Sequence, residues 1–194
     1  MRIVAGSKRG LKLNTIESDS TRPTKDMVRE ALFSIILEYI PNSTVLDLFA
    51  GSGAIGIEAL SRGASKCYFS DNNPECIKII KDNLTKASFL DQSETYKLDY
   101  LDMIDKVRNV SFDVIYIDPP YNLGLGIKAI ERISSYDLLK KNGILVFETD
   151  TGELAPDEIG VFTKIKSKKY GRNFLSFYER KEKWFLSIML LRRE

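Results

Sequence analysis

Two segments of this 194-residue sequence hold residue types whose spacing could do chemistry: Asp47-Leu48-Phe49-Ala50-Gly51-Ser52-Gly53 and Asp118-Pro119-Pro120-Tyr121. Gly51, Gly53 and Gly56 match the G-x-G-x-x-G pattern of a strand-to-helix turn, in which the backbone can approach a nucleotide cofactor closely. Alone, the pattern fits a nicotinamide dinucleotide. Asp47 decides against that reading. A carboxylate one turn before the glycines opposes a pyrophosphate, but it suits the ammonium group of S-adenosylmethionine, which carries no phosphate.

The expected cofactor set extends outward from this loop. Phe49, Ala50 and Ser52 belong to it with the glycines. Asp71, at the end of the second expected strand, is placed to accept from the ribose hydroxyls, with Asn72 beside it. Asp99, after the third, is placed for the adenine amino group, with Tyr100 adjacent. A helix-capping acid is the alternative at Asp71, and a plain turn residue the alternative at Asp99.

Asp118-Pro119-Pro120-Tyr121 follows an apolar strand, so it falls at the carboxyl edge of an open α/β sheet, where such folds bind ligands. An exocyclic nucleobase amine is a poor nucleophile because its lone pair is delocalised into the ring. Asp118 and the Pro119 carbonyl can each accept one of its N–H groups. That would turn the lone pair toward a methyl donor and stabilise the charge that develops on nitrogen. The prolines stiffen the turn and place no N–H where acceptors are needed. Tyr121 offers a face for the base to stack on.

Composition removes other chemistries. The sequence has no histidine, which excludes Ser-His-Asp and Cys-His catalysis and His-ligated metal sites; no metal is expected. Cys67 and Cys76 are its two cysteines, and they read as core residues. No apolar run approaches the roughly 20 residues of a membrane span. The start lacks the apolar stretch of a secretory signal, so a cytoplasmic location is expected. The net charge of +2 hides a segregation: residues 1–30 carry +3, residues 164–194 carry +7, and the middle carries −8. Basic ends point to a polyanion, with Arg2, Lys8, Arg9 and Lys12 as candidate RNA contacts.

The elements that must position these residues follow a βαβ rhythm. Strands are expected at 45–49, 66–70, 95–98, 112–118 and 143–148. A hairpin is expected from 165–170 to 174–178 across Gly171-Arg172-Asn173. Helices are expected after the glycine loop, from Pro74 with Asn72 or Asn73 as cap, and over 127–134. An earlier helix carries the stripe Val28, Ala31, Leu32, Ile35 and Ile36, with Thr24 as candidate cap. The fold class is α/β: a Rossmann-like, mostly parallel sheet closed by an antiparallel hairpin, with a basic N-terminal extension. The expected organisation is a hairpin and helix over 1–40, a methyltransferase domain over 41–182, and a tail over 183–194.

With these residues in place the sequence resembles the RsmD family of small-subunit ribosomal RNA guanine-N2 methyltransferases. The resemblance rests on Arg2-Ile3-Val4-Ala5-Gly6, Arg9-Gly10, Thr21-Arg22-Pro23-Thr24-Lys25-Asp26-Met27-Val28-Arg29-Glu30, both motifs above, Glu58-Ala59-Leu60-Ser61-Arg62-Gly63 and Tyr170-Gly171. It implies S-adenosylmethionine as cofactor, methylation of one guanine N2 of 16S ribosomal RNA in assembling small subunits, Arg22 and Thr24 near the cofactor pocket, and the basic arm on RNA. The alternatives are a DNA adenine-N6 or cytosine-N4 methyltransferase and a non-catalytic RNA-binding assembly factor.

Overall fold

The computed structural model describes residues 1–15, 23–120, 123–150 and 155–181, without the side chains of residues 23–25. Strands β1 (Thr44–Asp47), β2 (Lys66–Asp71), β3 (Ser93–Lys97), β4 (Phe112–Ile117) and β5 (Leu139–Asp150) pair in parallel; apart from the polar edge strand β3 and the exposed start of β5, they are built on apolar runs. Such runs form strands when both faces of the sheet are covered. Both are covered here. Val45, Phe69, Val114 and Val146 pack against helices α1 (Pro23–Ile35), α2 (Ala54–Ser61) and α3 (Pro74–Ala87). Leu46, Ile115, Ile117 and Leu145 pack against α4 (Tyr100–Lys106) and α5 (Leu125–Tyr136).

Strands β6 (Glu158–Ile159), β7 (Phe162–Tyr170) and β8 (Asn173–Arg180) complete a sheet in the order β3-β2-β1-β4-β5-β8-β7-β6. β8 runs antiparallel to both β5 and β7, so the expected closing hairpin is present. The chain moves outward from β1 to β3 and then returns to the other side of β1 with β4. The crevice between the carboxyl ends of β1 and β4 is therefore the topological switch point.

Local chemistry explains most boundaries, and some differ from expectation. Asn73, rather than Asn72, caps α3 by accepting from Glu75 N–H at 2.9 Å, with Pro74 following at the first helical position. Thr24 is not the cap of α1, because the helix already begins at Pro23. α4 and β6 were not expected. Asp99 creates α4 by accepting from Leu101 N–H at 3.0 Å. Asn173 already belongs to β8, so Gly171-Arg172 alone turn the hairpin. The tail at 183–194 lies outside the described residues.

The first residues fold back on themselves through a bridge between Arg2 and Lys12 and dock on α2. That explains why α2 has almost no polar face: Ala54 and Gly56 through Ser61 are all buried, between the sheet and this arm. Gly6 makes the approach possible, since a Cβ there would stand 1.9 Å from the Ser61 carbonyl oxygen. Glu58, 0% exposed, accepts the Val4 and Ala5 N–H groups at 2.8 and 2.9 Å. It also pairs with Arg62 at 2.8 Å and with Arg29, itself 4% exposed, at 3.6 Å. Arg29 in turn donates to the Arg2 carbonyl.

Removing one partner from a buried charge pair leaves the other uncompensated, which typically costs about 3–5 kcal/mol. Glu58→Ala is therefore expected to lose about that much stability in urea denaturation and to expose the Lys8-Arg9 segment to trypsin. Glu58→Gln, which keeps the acceptor, is expected to lose less. A Glu58→Ala protein as stable and protease-resistant as the wild type would show that this carboxylate does not hold the arm.

Candidate active site

The switch point opens into a cleft of about 640 Å³. Asp47, the last residue of β1, lines it and is 1% exposed. Its Oδ2 accepts the Gly56 N–H at 3.0 Å, so the carboxyl faces the first turn of α2. Burial, reinforced by the charge of Asp71 and opposed by the Gly56 bond, pushes this carboxyl up to about 7. A carboxylate held in that state gains most from a cation brought close to it.

The loop after β1 is wound tightly, with a bond from Gly53 N–H to the Ala50 carbonyl at 2.7 Å. Gly51 has φ +54°, a conformation L side chains rarely adopt, and a Cβ there would meet no atom within 4 Å. That open space is the cleft itself, which Phe49, Ala50 and Ser52 also line. Asp71 braces the loop by accepting Gly51 N–H and Asn73 N–H, each at 2.9 Å. Two bonds leave a carboxylate with further acceptor sites.

Asp118 lines the same cleft, one residue past β4, the strand paired with β1. Beside it Tyr116, on β4, donates its hydroxyl to Glu148 on β5, and Asn173 on β8 donates its amide to the other Glu148 oxygen at 2.5 Å. Burial, together with the charges of Glu148 and Asp118, holds the Tyr116 phenol well above its ordinary value, so it stays a donor. Met1, Val28, Arg29 and Leu32 from the arm and α1 line another side. Asp47, Asp118, Glu148 and Asp150 thus face one space, with Arg29 and Arg172 among its lining residues.

The sequence and the fold have known counterparts. The family described as Conserved hypothetical protein 95 matches residues 1–179. Ribosomal RNA small subunit methyltransferase D from Haemophilus influenzae is 37% identical over 175 residues, covering 88% of this chain and 89% of that protein. The protein of the same name from Escherichia coli is 28% identical, covering 93% and 90%. The chain belongs to this family, the RsmD family. A solved Escherichia coli structure described as a methyltransferase superposes with a TM-score of 0.83 at 26% identity, over 93% of this chain and 98% of that one.

Of the site residues that the motifs and the RsmD resemblance pointed to, Asp47, Phe49, Ala50, Gly51, Ser52 and Asp118 meet in the cleft. Gly53 caps α2, and the buried Pro119 follows Asp118, with Pro120 exposed beside it. Asp71, Asn72, Asp99 and Tyr100 stand at the ends of β2 and β3 and are not among the residues lining this cleft. Asp99 serves as a helix cap, and Tyr100 stacks on Phe49 with ring centroids 5.4 Å apart. Arg22 and Tyr121 lie outside the described residues, as does the Thr24 side chain. Arg2, Arg9 and Lys12 are exposed on the arm, whereas Lys8 is half-buried, its ammonium 5.6 Å from the centre of the Phe89 ring.

Sequence reasoning missed Arg29, Tyr116, Glu148 and Asn173. A buried Glu or Tyr inside an apolar strand was the available signal, but nothing in it shows that the residues meet. Among the described residues no cluster suited to a metal ion occurs, and no helix is long and apolar enough to cross a membrane.

The elevated Asp47 carboxyl generates a pH test. A bound ammonium favours the ionised form, so cofactor binding must remove a proton wherever Asp47 is protonated beforehand. The dissociation constant of S-adenosylmethionine is expected to rise toward about tenfold per unit as pH falls from about 7 to about 5. Asp47→Asn is expected to bind weakly with a flat profile. Calorimetry across this range checks it; a flat wild-type profile would dissociate Asp47 from the ammonium.

Proposed function

We propose that this protein transfers a methyl group from S-adenosylmethionine to the exocyclic N2 of a guanine in small-subunit ribosomal RNA. The observation that carries the reading is the meeting of Asp47 and Asp118 in one carboxylate-lined cleft at the switch point. The cleft suits a cationic cofactor and opposes a pyrophosphate. Membership in the RsmD family, with its ribosomal RNA methyltransferases, supports the enzyme class.

When bound, S-adenosylmethionine supplies an electrophilic methyl group on a positively charged sulfur. The chain's own residues do the rest. Asp47 neutralises the ammonium, the open side of Gly51 lets the backbone approach, and Asp71 has acceptor sites left for the ribose. Asp118 and the Pro119 carbonyl each take one amine N–H. This holds the nitrogen with its lone pair out of the ring plane and favours the positive charge it acquires. The product ammonium is acidic enough to lose its proton to Asp118 or to water. Tyr121 is assigned the stacking face for a base that is flipped out or already unpaired.

The exposed Arg2, Arg9 and Lys12 place positive charge on an arm that also walls the cleft through Met1. RNA phosphates bound there would bring a base toward the site. The reading places the reaction in the cytoplasm, on assembling small subunits.

Asp118→Ala is expected to lose on the order of 10²–10³ in turnover, as removal of an active-site electrostatic contact commonly does, while S-adenosylmethionine affinity is retained. The substrate is checked by tracing labelled methyl groups after incubation with small-subunit particles from a strain lacking the gene, with naked RNA and with duplex DNA. N2-methylguanine in ribosomal RNA is the expected product. N6-methyladenine in DNA would replace the substrate assignment, and full activity of Asp118→Ala would remove the mechanism.

A further inference from the structure

The cleft holds two carboxylates that the mechanism above does not use, Glu148 and Asp150. Glu148 is 6% exposed and lines the same space as Asp118. Its strand runs parallel to β4, and the pairing of Ile117 with Phe147 brings position 148 alongside position 118 one residue further on. Neighbouring strands lie about 4.8 Å apart, so the two carboxylates begin from adjacent backbone positions. Placing a carboxylate in such a wall is costly unless it is bonded. Glu148 is bonded through both oxygens, to the Tyr116 hydroxyl and the Asn173 amide, and both donors line the cleft too. These bonds fix its direction and leave it acceptor sites.

A pair of acceptors at that spacing selects among bases. In guanine the 2-amino group stands next to a ring N1–H, so the edge presents two donors side by side. In adenine and cytosine the exocyclic amine stands next to a bare ring nitrogen, whose lone pair a carboxylate repels. We infer that Glu148 is the base-selecting residue, accepting the N1–H of the guanine whose N2 is held at Asp118. The inference rests on the guanine-N2 reading above. A site built to receive an N–H rejects an analogue lacking it, because its buried acceptor is left unpaired. The charge on the acceptor strengthens the preference.

A purely structural role for Glu148, fastening β8 to β5, predicts no change in base preference, and this separates the two. The test uses the full chain as wild type, Glu148→Gln and Tyr116→Phe, each first checked for thermal unfolding and S-adenosylmethionine binding. The substrate is small-subunit RNA with either guanine or 2-aminopurine at the modified nucleotide. 2-Aminopurine keeps the amine but has a bare N1. It also lacks the guanine oxygen, a difference common to all three proteins.

The wild type is expected to prefer guanine on the order of 10–100-fold in kcat/KM, the range of a good base contact. Glu148→Gln, whose amide can donate to the bare N1, is expected to narrow that ratio about tenfold or more. Tyr116→Phe, which frees the carboxylate from one bond, is expected to narrow it less. An unchanged ratio in Glu148→Gln overturns the inference while leaving the guanine-N2 reading intact. If Glu148→Gln fails to fold, an unchanged ratio in Tyr116→Phe does the same. Methylation of a base other than guanine by the wild type overturns both.

Discussion

The buried Glu58 carboxylate is the contact on which the remainder of the site depends. It takes two backbone N–H groups from the arm and faces two arginines, one from α1 and one at the end of its own helix. A charge this deep persists only with its hydrogen bonds and counter-ions in place. The contact therefore commits three segments at once. Without it the arm keeps, among the described residues, only its Ser61 bonds to α2, and the buried Arg29 of α1 keeps Asp26 and the Arg2 carbonyl but loses its buried counter-charge. The same contact thus braces the wall of the cleft that Met1, Val28, Arg29 and Leu32 provide.

A second link joins the same arm to the glycine loop. Asn83, fully buried on α3, accepts from Asn14 N–H at 2.7 Å and donates to the Asn14 and Ser52 carbonyls, each at 3.0 Å. One amide thus holds the arm's end and the loop that borders the cleft. The surface proposed to meet RNA and the loop proposed to meet the cofactor are parts of one packed unit.

Charge is divided along the same line. The ends of the sequence are basic and its middle is acidic, and the fold turns this into an acidic cleft with exposed Arg2, Arg9 and Lys12 nearby. The two signs suit two ligands: a sulfonium cofactor inside, where low dielectric strengthens each carboxylate, and a polyanion outside, where screening makes the attraction depend on salt.

Much of this was legible in the sequence because it is local. Asp47 and its glycines, like Asp118 and its prolines, are contiguous, and strand-turn-helix chemistry places them at the carboxyl edge without reference to anything distant. A cap at Asn72 or Asn73 and the closing hairpin followed from the same short-range rules. α4 escaped notice because it is only seven residues long and half of its apolar character sits in aromatic and methionine side chains. What only the tertiary structure decided were the contacts across long separations: Glu58 with Val4, 54 residues apart; Asn83 with Asn14, 69 apart; Tyr116 with Glu148, 32 apart; and Glu148 with Asn173, 25 apart. Residue type alone marks Glu58, Asn83, Tyr116, Glu148 and Asn173 as ordinary polar side chains. Strand register and the seating of the arm on α2 bring them together, and neither is set by the residues on either side.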